Sequence, residues 1–134
     1  VLIDTEKRLI LRKHPEQFND QWAPDVPFEL PMKMVKADPA DCERMGECVA
    51  TYSRCDMNGH MNNTRYVEWA LDFIDFDKHH QCYISDLNIQ YRKEIRPLEK
   101  VKLFMAENGH RYIVEGRNQE DEVYFTIEIY FRDR

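Results

Sequence analysis

The sequence lacks several features that define whole classes of protein. No apolar run approaches the roughly 18 residues of a membrane-spanning helix, and the N-terminus has no apolar segment like that of a secretory signal peptide. Only 4 of the 134 residues are glycine and 6 are proline, while 43% are hydrophobic and 12% are aromatic, which argues against disorder. We therefore expect one globular domain without a membrane span, located in the cytoplasm.

The sequence also has fewer basic than acidic residues, and it has no paired cysteine motif. With 19 Lys and Arg against 25 Asp and Glu, the formal net charge is −6. Such a surface repels phosphate backbones, so nucleic acid is not an expected partner. The cysteines form no C-x-x-C pair and match no zinc module, so we expect reduced thiols and no metal site. They are Cys42, Cys48, Cys55 and Cys82.

The chain has no initiator methionine, and its first part differs in composition from the rest. Five of the six prolines lie in residues 1–40, and proline interrupts regular structure because it lacks a backbone donor. We expect one short strand within residues 1–12 and an extended connector over residues 17–36. The compact part is expected to be residues 41–134.

Hydrophobic periodicity predicts the elements of this compact part. An apolar face at helical spacing is formed by Tyr66, Trp69, Ala70, Phe73 and Ile74. The predicted order is a strand (46–54), a helix (64–76) and four strands in a meander (81–95, 101–106, 111–117, 122–132), with an Asn108-Gly109 turn. A helix on the face of an antiparallel sheet follows from layer packing. The expected fold class is α+β, a hot-dog fold in which a curved antiparallel sheet wraps a long helix.

The polar loop between the first strand and the helix, residues 55–63, is the most informative stretch. Asp56, Asn58 and His60 stand at alternate positions and would converge if the segment were extended. Asn62 or Asn63 can cap the helix, whose free amides can hold a developing oxyanion. These groups suit acyl transfer to water, although a capping Asp, a structural His and an Asn-Gly turn would also account for them.

Two spaced motifs in this region resemble a known family. The first is Asp56-x-Asn58-x-His60-Met61-Asn62-Asn63-x-x-Tyr66-x-x-Trp69, and the second, with its Glu 34 positions after His60, is Gln90-Tyr91-Arg92-Lys93-Glu94. Together they closely resemble the acyl-acyl-carrier-protein thioesterases of bacteria and plant plastids, in the second of that family's two hot-dog domains. The similarity extends over residues 47–131.

The resemblance implies a catalytic set of Asp56, Asn58, His60 and Glu94. Glu94 would position or deprotonate the water, or hold His60 in the useful tautomer. Asp56 is left as nucleophile, base or orienter of Asn58. Some plant members carry a cysteine directly after this Glu, but Ile95 stands there, which excludes a cysteine nucleophile at that site. No cofactor is expected, because thioester hydrolysis needs only water and an oxyanion site.

The resemblance also implies a substrate, which is a fatty acyl chain carried by acyl carrier protein in fatty acid biosynthesis. The carrier is strongly acidic, so a chain of net charge −6 needs a local basic patch. Residues expected to bind substrate or carrier are Asn62, Asn63, Arg65, Arg92, Lys93 and Arg96. Two alternatives stay open: an acyl-coenzyme A thioesterase, and a non-catalytic acyl-binding module of the same fold.

The domain organisation follows from the same resemblance. Residues 1–40 are interpreted as an interdomain connector with a remnant strand of a missing first hot-dog domain, and residues 41–134 as the hot-dog domain with the catalytic motifs. Hot-dog units usually pair. We therefore expect a homodimer, or pairing with the missing first domain.

Overall fold

The computed structural model describes Ile3–Asp4, Leu9–Ile10, Val35, residues 37–38 and residues 41–134. The chain divides into two compact units, Val1–Met32 and Lys33–Arg134. In the first unit, β1 (Ile3–Asp4) pairs antiparallel with β2 (Leu9–Ile10), where one short strand was expected. The predicted connector over residues 17–36 lies outside the described residues, apart from Val35.

The second unit holds a five-stranded antiparallel sheet and two helices. Its elements are β3 (Glu43–Val49), α1 (Asn63–Leu71), α2 (Phe76–Gln81), β4 (Cys82–Tyr91), β5 (Lys100–Asn108), β6 (Arg111–Arg117) and β7 (Val123–Asp133). The strand order is β3-β5-β6-β7-β4, and every neighbouring pair is antiparallel. β5, β6 and β7 form a meander, but β4 pairs with β7, so the predicted four-strand meander is wrong. Alternation of side chains determines the buried face of a strand and not its neighbours.

The helical segment is divided in two, whereas one helix over residues 64–76 was expected. α1 ends at Leu71, and α2 starts again after Asp75, whose Oδ1 accepts a hydrogen bond from the Asp77 amide at 2.9 Å. An Asp with extended backbone that caps a new helix interrupts the first one. The strand predicted over residues 46–54 also ends early, because Tyr52–Arg54 form a 3₁₀ turn.

The core lies between α1 and the sheet, as the apolar patterns predicted. The buried side chains of α1 are Tyr66, Trp69 and Ala70, and Ile74 follows them; from β7 come Phe125, Ile127, Ile129 and Phe131. The Tyr66 and Phe125 rings meet edge to face, 5.0 Å apart, which joins the helix to the sheet. The fold is α+β and of the hot-dog type. No helix in the described part of the chain is long and apolar enough to cross a membrane.

Candidate active site

The polar loop after β3 is a closed turn. Cys55 and Met61 form an antiparallel bridge, and inside it the Asp56 amide donates to the His60 carbonyl at 2.8 Å. Gly59 has φ +74°, a conformation that glycine adopts without strain. The segment is therefore not extended, which was the condition under which Asp56, Asn58 and His60 would converge through their alternate positions.

Asp56 organises this turn through its carboxylate. Its Oδ1 accepts hydrogen bonds from the amides of Asn58 at 2.8 Å and His60 at 3.3 Å. The bond from the His60 amide, together with bonds from the backbone and side chain of Asn58, lowers the pKa of Asp56 against an opposing desolvation effect. The ionised carboxylate thus stabilises the turn that carries His60.

His60 and Glu94 come together although 34 positions separate them. His60 Nε2 lies 3.0 Å from Glu94 Oε2. The backbone brings them together, since the Met61 amide donates to the Ile95 carbonyl at 2.9 Å. Ile95 is fully buried, which anchors the segment that presents Glu94. The Glu94 side chain itself is 65% exposed and His60 only 25%, so the carboxylate is the member of the pair that meets water.

The N-terminus of α1 lies beside this pair. Asn62 is the cap: its Oδ1 accepts from the Thr64 amide at 3.0 Å and from the Thr64 hydroxyl at 2.9 Å. Of the two asparagines considered, Asn62 therefore has this role, while the Asn63 carbonyl accepts a bond from the Tyr91 hydroxyl at 3.0 Å. The positive end of the helix dipole consequently faces the His60–Glu94 region.

A cleft of about 380 Å³ collects these groups. It is lined by Asp56, His60, Met61, Asn62, Asn63, Tyr66 and Glu94. Three of the four predicted catalytic side chains share it, whereas Asn58 is not among its lining residues and contacts Asp56 instead. A carboxylate in contact with an imidazole can accept a proton from water, and a helix N-terminus can stabilise negative charge.

A smaller cleft of about 220 Å³ adjoins the first and includes three of the residues expected to bind substrate or carrier, Asn63, Arg92 and Lys93. It is lined by Asn63, Tyr66, Tyr91, Arg92, Lys93 and Glu94. Lys93 pairs with Glu122 at 2.7 Å, and this hydrogen bond lowers the pKa of Glu122. Arg65 pairs with Glu68 within α1.

Arg92 and Arg96 differ from the other expected carrier-binding cations. Both side chains are exposed, and neither forms an ion pair with a carboxylate among the residues that the structure describes. Arg65 and Arg96 do not line either cleft. Of the four cations in the predicted basic patch, Arg92 and Arg96 are thus the two whose charge is not paired with a carboxylate of the described residues.

Sequence reasoning missed two features around the site. Tyr66 and Tyr91, whose rings meet edge to face 5.1 Å apart, both line the smaller cleft; burial raises the pKa of Tyr66. On the other side of Asp56, an open depression of about 770 Å³ includes the exposed apolar side chains Tyr52, Met57 and Leu98. The depression could have been predicted from the sequence, because large apolar residues stand within otherwise polar loops there.

The chain is similar to known proteins over much of its length. The profile of a family described as acyl-ACP thioesterase C-terminal domain matches residues 40–133. A dodecanoyl-acyl-carrier-protein hydrolase of Cinnamomum camphora, described as chloroplastic, is 29% identical over an alignment of 106 residues, and the match covers 70% of this chain and 26% of that protein.

Two solved structures share the fold. An acyl-ACP thioesterase from Bacteroides thetaiotaomicron matches with a TM-score of 0.70 and 24% identity, over 79% of this chain and 43% of that one. A 12:0-ACP thioesterase from Umbellularia californica matches with a TM-score of 0.77 and 15% identity, over 98% and 52% of the two chains. The chain thus spans about a quarter of the curated relative and about half of each structure.

Proposed function

The chain belongs to the family of acyl-ACP thioesterase C-terminal domains, and from this premise we propose that it hydrolyses acyl-acyl carrier protein to a free fatty acid. The observation that carries the proposal is the contact of 3.0 Å between His60 Nε2 and Glu94 Oε2 beside the N-terminus of α1. It supports the proposal because a carboxylate that can accept a proton then lies beside a helix N-terminus that can stabilise an oxyanion.

In the proposed mechanism, Glu94 is the general base. A carboxylate can only accept a hydrogen bond, so His60 donates Nε2–H to it and holds it in place. Glu94 takes a proton from water, and the water oxygen attacks the thioester carbonyl. The oxyanion is stabilised at the N-terminus of α1. Collapse of the tetrahedral intermediate breaks the C–S bond, and the thiolate leaves with the proton that Glu94 had accepted.

Asp56 and Asn58 support this chemistry from the turn. Of the roles left open for Asp56, we propose that of an orienter, because its Oδ1 already accepts two amide hydrogen bonds and a side-chain bond from Asn58 acts on the same carboxylate. Asn62 supports the site by capping α1, and Asn63 supports it as the first residue of α1, where it lines both clefts. These residues therefore position the pair that performs the proton transfer.

We propose that Arg92 and Arg96 attract the acidic carrier protein. Because interface charges act mainly on association, the double charge reversal Arg92→Glu/Arg96→Glu should raise KM for acyl-acyl carrier protein about tenfold and flatten its salt dependence. The effect on acyl-pantetheine, which lacks both the carrier and the nucleotide of coenzyme A, should be smaller. Thiol release is measured for acyl-acyl carrier protein, acyl-coenzyme A and acyl-pantetheine in parallel.

Arg132→Glu, which reverses another exposed arginine near the end of β7, is the matched control and should leave all three rates unchanged. An equal loss on the carrier-linked substrate and on acyl-pantetheine would place the arginines in the cleft chemistry and not in docking. Hydrolysis of acyl-coenzyme A alone would identify a coenzyme A thioesterase. This chain by itself could release no thiol from any of the three substrates. If a longer chain with a first hot-dog domain then released none either, the proposed activity would be refuted.

We further propose that the domain works as half of a pair, with residues 1–40 as the connection to a first hot-dog domain and with a second copy able to replace that domain. In the part of the chain that the structure describes, β4 is an edge strand of the sheet, and Tyr83, Ile84, Leu87 and Tyr91 on it are partly exposed. An open edge with apolar side chains is a template for another strand.

Leu87→Lys should convert a dimer to a monomer in sedimentation velocity, whereas Phe76→Lys, at an exposed apolar position on α2, should not. A monomeric unmodified chain would contradict pairing between copies.

A cytoplasmic location is retained as a proposal, and cell fractionation tests it. Recovery in an organelle fraction would contradict it.

A further inference from the structure

We propose that Cys82, His110 and Asp133 form a binding site for Zn²⁺ that is separate from the candidate active site. One ligand atom from each side chain lies within 4.8 Å of the other two. Cys82 begins β4, whereas Tyr91, beside the catalytic clefts, ends it. At about 3.3 Å per residue, the two ends of the strand are on the order of 30 Å apart. The inference therefore does not depend on the proposed hydrolysis.

The backbone holds the three ligands in register. Cys82 and Asp133 are directly paired residues of the β4–β7 ladder. His110 lies in the β5–β6 turn directly before β6, and its carbonyl accepts a hydrogen bond from the Phe131 amide at 2.8 Å. Three adjacent strand ends thus present a thiol, an imidazole and a carboxylate without a long flexible loop. A ligand set preorganised in this way has little ordering entropy to lose when a metal binds.

Two of the three distances between ligand atoms are close to those of a tetrahedral zinc shell. Cys82 Sγ lies 3.4 Å from Asp133 Oδ1, and His110 Nε2 lies 3.7 Å from the same oxygen. Zinc bonds of about 2.3 Å to sulfur and 2.0–2.1 Å to nitrogen or oxygen place neighbouring tetrahedral ligands about 3.3–3.6 Å apart. These two pairs therefore need movements of only a few tenths of an ångström, and the third pair, Cys82 and His110, has ligand atoms within 4.8 Å of each other and needs at most a change of side-chain torsion. Three protein ligands with two of them exposed leave the fourth position to water.

The ligand types favour zinc among the available divalent cations. Thiolate and imidazole together select zinc over Mg²⁺ and Ca²⁺, which prefer oxygen ligands. Burial and the neighbouring Asp133 carboxylate raise the pKa of the Cys82 thiol, so zinc must displace a proton from it.

The positive charge of Lys78 would repel a metal ion bound to His110, and substituting Lys78 therefore tests the proposed site. Its Nζ lies 3.2 Å from His110 Nδ1 and 3.3 Å from the Gly109 carbonyl oxygen. A positive charge one imidazole ring away from the cation repels it. Removing this charge should therefore strengthen zinc binding, an effect that a purely structural cluster of hydrogen bonds would not show.

The test is a Zn²⁺ titration of the intact chain in competition with a chromophoric indicator. The unmodified chain should bind one equivalent. Cys82→Ser and His110→Ala should each weaken binding at least tenfold, and Lys78→Met should tighten it several-fold. Cobalt substitution should give a thiolate-to-cobalt charge-transfer band that Cys82→Ser abolishes.

Matched controls remove the same chemistry elsewhere. Cys48→Ser changes a partly buried cysteine outside the cluster, and His80→Ala an exposed histidine of α2; both should bind zinc like the unmodified chain. Circular dichroism checks that each variant is folded. Absence of stoichiometric binding by the unmodified chain, equal binding by Cys82→Ser and His110→Ala, or weaker binding by Lys78→Met would each overturn the proposal.

Discussion

Replacing Glu94 with glutamine is expected to reduce kcat/KM for thioester hydrolysis by about 10²–10⁴-fold, the contribution typical of a general base. Glutamine has the size of glutamate, and its carbonyl oxygen can still accept the hydrogen bond that His60 Nε2 makes at 3.0 Å. The cleft should therefore keep its shape and lose the basic group. Thiol release under single-turnover conditions measures the chemical step separately from product release.

Glu122→Gln is the matched control, because Glu122 is another exposed carboxylate that pairs with a cation, Lys93, and does not line the clefts. It should retain the rate of the unmodified chain. The single variant His60→Ala and the double variant His60→Ala/Glu94→Gln should each lower kcat/KM by little more than Glu94→Gln does alone. The reason is that the effects of substituting residues that act as a unit do not add. Full activity of Glu94→Gln would remove Glu94 from the mechanism, whereas no hydrolysis by the unmodified protein would favour a non-catalytic acyl-binding module.

The regular part of the fold was predictable where one physical pattern acted alone. β6 has the bounds expected from the sequence, residues 111–117, and β7 is displaced by a single residue, because strict alternation and polar turns determine both. Of the predicted helix face, Tyr66, Trp69, Ala70 and Ile74 are buried and Phe73 is partly buried. The break before α2 was missed, because an Asp within an apolar pattern is a capping residue only when its backbone is extended.

The candidate site was predictable in part of its membership and not in its geometry. The motifs identified His60 and Glu94, but their contact depends on the hydrogen bond between Met61 and Ile95, which no local pattern encodes. The segment from Asp56 to His60 is a turn with Gly59 at positive φ, and Asp56 is a hydrogen-bond acceptor within it, which alternate spacing alone does not reveal. The Cys82–His110–Asp133 cluster could not be predicted at all, since it requires the register of β4 against β7.

Gly116→Ala is expected to destabilise the domain by about 1–3 kcal/mol, the usual cost of overpacking a core. Gly116 of β6 is paired with Phe125 of β7, and a Cβ atom at this glycine would lie 2.1 Å from Phe125 Cε1. The Phe125 ring is fully buried and packs against Tyr66, so it has little room to move. Urea unfolding monitored by fluorescence gives the change in the free energy of unfolding.

Gly46→Ala is the control, because a Cβ atom there would lie 3.1 Å from the ring of Phe73, which is only partly buried. Its cost should be smaller, and equal costs would contradict the overlap at Gly116. Phe125→Leu should partly rescue Gly116→Ala, giving a favourable coupling energy in the double-mutant cycle. Since the displaced ring packs on Tyr66, which lines both clefts, Gly116→Ala should also lower kcat. The absence of a side chain in the middle of β6 thus connects the packing of the sheet to the shape of the proposed catalytic cleft.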